Sequence, residues 1–420
     1  QIMEVPFGIG MGGIRFDDMG CVYYVEPGEK DKLVRWDDGN KTVLDSSPFV
    51  YLCDVTSDGS TVVYTCEVGG EAVMVCWSDG DTRVVSKQPG LAMFSADDDL
   101  LARSTGVPQA STSSEVVIET VDGDTKQVLG EGDEDVWLVK DWHPSEREVL
   151  VERHGYGVMP GVYDVDEEDM EWFASRRDAE VYSFNADGTA FAVFNNDVMR
   201  QGGVVQPQVV DIETGGVVDV PVPDGIEVRQ VVNRCAPVRF DSGGFVAQGL
   251  RSGGREDIVR FDRDGIDVLV GGERDTEGVD DPEWVVFESF DGVDVEAWLW
   301  RAGDEPGPTV VCLHGGGPHG RVTKYSDQTI IHRLVEAGFH VFAVNYRGAT
   351  GRDKSFHDAV KDDVGGIELR DTVRGLEWLR ENGVVRGGVG VYGHSFGGYE
   401  VLMHMVKHGD VWDAGVASAA

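Results

Sequence analysis

The chain has 420 residues, 41% of them hydrophobic, and carries 76 acidic against 36 basic side chains for a formal charge of −40. That length accommodates two or three domains with cores of their own. No basic stripe exists to meet phosphates, which counts against nucleic acid as a ligand, and no run of about 18 apolar residues is available to cross a membrane as a helix.

The acidic residues are spread along the chain, in runs such as SADDDL, GEGDEDV and DVDEEDMEW, so they coat a surface rather than form a tail. Such self-repulsion opposes compaction in ordinary buffer, whereas molar salt shortens the Debye length to about 3 Å and screens it. The composition therefore predicts a soluble protein of a salt-rich cytoplasm. Six cysteines, at 21, 53, 66, 76, 235 and 312, show no metal-ligand spacing and are expected to be buried free thiols. The first residue is Gln rather than Met, so residues are expected to be missing in front of it.

From residue 1 to about 275 the chain reads as short Val- and aromatic-rich strands separated by Asp/Gly turns, among them GCVYYVE, STVVYTCEV, EVVIETV and TAFAVFN. Aligning the turns brings out a weak repeat. RFDDMGCVYYV, VTSDGSTVVYT, FSADDDLLARS, WHPSEREVLVE, FNADGTAFAVF and FDSGGFVAQGL begin near residues 15, 55, 94, 142, 184 and 240. Units of roughly 40 residues with four short strands each mark β-propeller blades. Six are countable, with a seventh assembled from the two ends as the alternative count; a pair of β-sandwiches would also supply turn–strand pairs. Residues 1–278 are assigned to this all-β domain and 279–420 to a second one.

The second part opens with a hairpin, WVVFESFDGVDVEAWLW, turning at Asp291-Gly292. Strands and helices then alternate: PTVVCLHG, SDQTIIHRLVEAG, FHVFAVNYRG, GGIELRDTVRGLEWLRENG and GGVGVYGHS. The strands are continuous apolar runs, as parallel strands covered on both faces must be. Leu369, Val373, Leu376 and Leu379 share one helix face, and Gly338 and Gly383 stand where glycines end helices. The expected fold is a propeller followed by a partial α/β-hydrolase domain.

Two motifs carry chemistry. GHSFG, with Ser395 at its centre, lies between an apolar strand and a helical run. A strand-to-helix turn tight enough to expose a serine hydroxyl tolerates only small neighbours, here Gly393 and Gly397, so Ser395 is expected to be a nucleophile and the Phe396 N–H an oxyanion donor. The glycine run HGGGPHG (314–320) follows a strand and lacks the Lys-Ser/Thr ending of a phosphate loop; the N–H of Gly316 or Gly317 is expected to be the second donor.

HGGGPHG, NYRGATG, DDVGGIELRD and GHSFGGY, in that order behind a propeller-like half, resemble the prolyl oligopeptidase family of serine peptidases, with the acylaminoacyl-peptidase branch the most similar. The resemblance implies a propeller that restricts entry to short or N-acylated peptides, hydrolysis through a Ser395 acyl-enzyme, and no metal or organic cofactor. It leaves a homo-oligomer open. The third glycine of HGGG departs from the family pattern and is also seen in esterases, so a carboxylesterase or lipase on the same fold is the alternative; a non-catalytic propeller binding protein is another.

His394 is expected to be a packing residue, His314 a brace for its loop, and Arg347 an anchor to a carboxylate. Asp371 precedes the nucleophile, the wrong side for a triad acid. The pair Glu167-Glu168 is taken as chance in so acidic a chain rather than as a clamp for a substrate amino group. Triad order puts the acid and the base after the serine, so both are expected beyond residue 420, with this chain an inactive N-terminal portion of the enzyme.

Overall fold

The structure, a computed structural model, describes residues 13–106, 113–155, 157–176, 178–197, 203–229, 244–251, 255–271, 279–317, 320–325 and 328–420. Over 14–270 these form six four-stranded antiparallel meanders, spanning Ile14–Ser47, Val50–Ser86, Ala92–Leu129, Val136–Trp172, Ala179–Asp219 and Ile226–Val270. Each meander pairs its strands in sequence order, the arrangement of a propeller blade rather than of a sandwich.

Two junctions between consecutive blades, second to third and fourth to fifth, are stitched by aspartates at β-bulges on first strands. The register shifts between Leu52 and Asp54 and between Val139 and Asp141. Each freed carboxylate accepts the backbone N–H of the next blade's first strand, Asp54 from Phe94 and Asp141 from Phe184, both at 2.9 Å. A bulge re-aims one side chain along the sheet, which is what a bridge to the neighbouring blade needs.

The sequence repeat is the first hairpin of each blade. In the second, third and fifth blades its turn is closed by an acidic side chain, with Thr56 donating to Asp58, Ser95 to Asp97, and Thr189 to Asp187. Of the sixth repeat, 240–243 lie outside the described residues. So does Cys235; the other five cysteines are buried and unbridged. Among the described residues no helix is long and apolar enough to cross a membrane.

The remaining sheet has six strands: β1 Glu283–Glu288, β2 Asp294–Trp300, β3 Gly307–Leu313, β4 His340–Asn345, β5 Val385–His394 and β6 Ala414–Ser418. Their spatial order is β1-β2-β4-β3-β5-β6; β2 runs antiparallel to both its neighbours, β1 and β4, and the β4-β3-β5-β6 pairings are parallel, the layout of an α/β-hydrolase sheet. Among the described residues four helices accompany it: α1 Gln328–Glu336, α2 Lys354–Asp358, α3 Ile367–Glu381 and α4 Phe396–Lys407.

Leu369, Leu376 and Leu379 of α3 are fully buried, and Val311, Phe342, Val344 and Val391 join Leu376 and Leu379 in one core. Gly338 and Gly383 take φ of +91° and +68°, and the residue after each donates to a carbonyl five residues back, as in Schellman caps. The predicted hairpin turns where expected, with Gly292 at φ +88°.

Candidate active site

β5 runs straight into α4 through Ser395, whose φ of 55° and ψ of −122° lie in a region that L-residues rarely occupy. Close packing holds the turn. A Cβ on Gly393 would stand 2.2 Å from the Gly397 carbonyl oxygen, one on Gly397 2.2 Å from the Leu313 carbonyl oxygen, and one on Gly398 2.7 Å from the Ser418 carbonyl oxygen. The Ser395 N–H donates to Ser418 O at 2.9 Å. The serine is exposed, and Phe396 begins α4, where a backbone N–H has no partner inside the helix.

The glycine loop leaves the end of β3 beside this turn. A Cβ on Gly315 would come within 3.3 Å of the Ser395 Cβ, and Gly317 lies against the Phe396 ring. Gly316 and Gly317 both have positive φ, +83° and +54°, a conformation that suits glycine. His314 Nδ1 lies 3.0 Å from Gly315 O. Burial pushes this imidazole down to about 4, so it is neutral near pH 7 and can donate from Nδ1. In a trans peptide the C=O and the following N–H point in opposite directions. With the Gly315 carbonyl turned toward the His314 ring, the Gly316 N–H is turned away from it. Pro318 and His319 lie outside the described residues.

Two successive residues at the end of β4 hold this loop and the segment after it, and the next anchors them to α3 and the hairpin turn. Asn345 brackets Val322, accepting its N–H at 2.7 Å and donating to its carbonyl at 2.8 Å. Tyr346 stacks on the His314 ring, 4.2 Å between centroids, and its hydroxyl donates to His314 O at 2.8 Å. Arg347 donates to Asp371 through its backbone N–H and its guanidinium, and to Asp291 at 2.6 Å. Farther along, the Thr350 N–H donates to Gly320 O at 3.1 Å. NYRGATG is thus a clamp, which fixes the start and the end of the glycine loop relative to the sheet.

Arg347 and His314 behave as anticipated, anchor and brace respectively. Asp371 is buried against Arg347 and Ser289, and Glu167 and Glu168 sit in an exposed blade turn. His394 corrects the expectation: it is exposed rather than packed, with Nδ1 3.1 Å from the Ser418 hydroxyl. An elbow that buries its glycines turns the residue beside the serine outward.

The roles of Asn345 and Tyr346 were not read from the sequence, and neither was that of Glu400. This buried carboxyl on α4 is held well above the usual carboxylate range by burial and by the neighbouring Glu368. The available signal was a charged residue on the buried side of an otherwise apolar helix.

Known proteins match the chain in two ways. Residues 325–420 match the model of the prolyl oligopeptidase family. Human dipeptidyl peptidase 8 is 31% identical over 148 residues, which are 33% of this chain and 16% of that protein. Dipeptidyl aminopeptidase BIII of Pseudoxanthomonas mexicana is 32% identical over 114 residues, 27% of this chain and 16% of that protein. The matched region thus spans less than a fifth of these relatives' length.

In fold the likeness runs over nearly the whole chain. A puromycin-hydrolyzing peptidase of Mycobacterium tuberculosis superposes with a TM-score of 0.75 at 19% identity, covering 96% of this chain and 74% of that one. The acylaminoacyl peptidase of Pyrococcus horikoshii gives 0.70 at 14% identity, covering 96% and 69%. Over residues 325–420 the chain is thus similar to the prolyl oligopeptidase family, and over nearly its whole length it shares the fold of these two peptidases.

Proposed function

We propose that the protein is a serine peptidase of short or N-acylated peptides, with Ser395 as nucleophile and the N–H groups of Phe396 and Gly316 as oxyanion donors. The observation that carries this reading is Ser395 itself, exposed at φ 55° between β5 and α4 and backed by the glycine loop. A non-Gly residue in that conformation stores strain, which persists where the surrounding packing enforces it. The turned Gly315 peptide favours Gly316 over Gly317 as second donor.

In the reaction the Ser395 hydroxyl adds to the scissile carbonyl and its proton passes to an imidazole. The oxyanion is met by two N–H groups, and the amine leaves with that proton before water releases the acyl group. Among the described residues, no hydrogen bond links the Ser395 hydroxyl to a ring nitrogen or a carboxylate. The reading therefore requires an imidazole and its supporting acid to reach this hydroxyl.

We further assign 1–278 to the propeller and 279–420 to the hydrolase; the join follows 272–278, outside the described residues. The acidic surface fits a salt-rich cytoplasm.

The test, on protein that carries the required imidazole and acid, is fluorophosphonate labelling in molar KCl, followed by turnover of acyl-aminoacyl anilides against simple aryl esters. Labelling that is lost in Ser395→Ala, with anilide turnover, is expected. Ester-only turnover would give the site to an esterase, and equal labelling of the alanine variant would remove Ser395 from the chemistry.

A further inference from the structure

The segment that follows the glycine loop is held from the propeller as well as from its own sheet. Arg321, one residue past the loop, has a side chain only 8% exposed. It reaches Glu296 of β2 at 3.3 Å, and the carbonyls of Asn196 and Gly203 in the fifth blade at 3.5 Å each.

Other bonds cross at the same place. Asp178 of the fifth blade accepts the Gly351 N–H, and Arg229 of the sixth blade donates to Thr323 while pairing with Glu227 at 2.9 Å. A Cβ on Gly351 would meet Arg321 at 2.4 Å and Asn196 O at 3.1 Å, so this glycine leaves room for the arginine. Glu296 also accepts from Asn345, the residue that brackets Val322.

A planar guanidinium with several donors fixes geometry better than a mobile ammonium can. Buried charges of this kind set arrangement more than stability, because desolvation offsets most of their attraction.

From this geometry we infer that Arg321 is a positioning residue that couples docking of the propeller to the conformation of the Gly315–Gly317 loop. The oxyanion donor is in place only while the two halves are engaged. The inference rests on the peptidase reading for its catalytic meaning, and on contacts alone for its structural one.

The test is backbone amide exchange, read by mass spectrometry on the full chain, in Arg321→Met and Arg321→Lys. Expected for R321M is roughly tenfold faster exchange over 313–323, with 390–400 unchanged and partial recovery in R321K; the same variant should lose about tenfold in kcat with KM within about twofold.

Unchanged exchange over 313–323 would overturn the proposal. So would a loss of protection along the whole chain in both variants, because Arg321 would then hold the fold rather than the loop. Exchange needs no substrate, so a responding loop in a protein that carries the required imidazole and acid yet never labels at Ser395 would sink the peptidase reading and leave the coupling standing.

Discussion

Replacing Gly397 by alanine tests whether the serine turn and the glycine loop are packed as one unit. The new Cβ would stand 2.2 Å from Leu313 O, 2.8 Å from Leu313 C and 2.9 Å from His314 O. All three are backbone atoms at the root of the loop, so no side chain can rotate away, and α4 and β3 must separate by about 1 Å to restore ordinary contact.

Helix propensity works the other way, since Gly→Ala inside a helix is worth up to about 1 kcal/mol. Overpacking against fixed backbone costs about 1–3 kcal/mol, and contacts this close put it in the upper part of that range, so it should win and leave a net loss of up to about 2 kcal/mol. A shift of that size at a catalytic turn costs about 100-fold in rate. Denaturant unfolding and the rate of fluorophosphonate labelling, both in molar KCl, measure the two effects. A G397A variant that is as stable as the parent and labels within about twofold of its rate would refute the packing argument.

Asp371→Asn should lose about 3–5 kcal/mol of stability, because it leaves the buried Arg347 guanidinium short of its counter-charge; denaturant unfolding reads this, and a change under about 0.5 kcal/mol would contradict it. Burial raises the Glu152 carboxyl, but Lys140 and His154 outweigh it and hold the group at about 2, against 4.5 when free. A depressed carboxylate stabilises above its unfolded pKa, so this contribution is present above about pH 4.5 and lost as the pH falls toward 2. Glu152→Gln should flatten the stability profile over that window. Burial pushes His404 down to about 3 from 6.5, so protons bind the unfolded chain preferentially and stability falls as the pH drops from about 6.5 toward 3. His404→Leu should remove that slope, with little cost at pH 7, since neither ring nitrogen has a partner among the described residues; a persisting slope would reassign it. Melting temperature should rise between 0.1 and about 2 M KCl as the surface charge is screened, and a flat response would remove the salt argument.

Much of this architecture was legible because it is local. The repeated hairpins announce themselves through turn acids such as Asp58, Asp97 and Asp187, since a turn of that kind needs a short side chain that accepts a backbone N–H two residues on. Blade pairing follows sequence order, so finding the hairpins nearly amounts to finding the sheets. Ser395 was legible for a similar reason: the elbow excludes bulk at Gly393 and Gly397, and its neighbours in the chain report it.

What the tertiary structure decided is long-range. That Asn345, Tyr346 and Arg347 grip three separate segments and that Arg321 crosses to the fifth blade both depend on which residues meet across tens of positions to more than a hundred. No periodicity encodes such meetings. His394 shows the same limit: it was expected to pack because neighbours in an elbow point different ways, and the assembled turn leaves it exposed. The sequence determined the elements and the strained serine turn because short-range sterics dictate both; the placing of the groups around that turn followed only from the assembled sheet and the propeller docked against it.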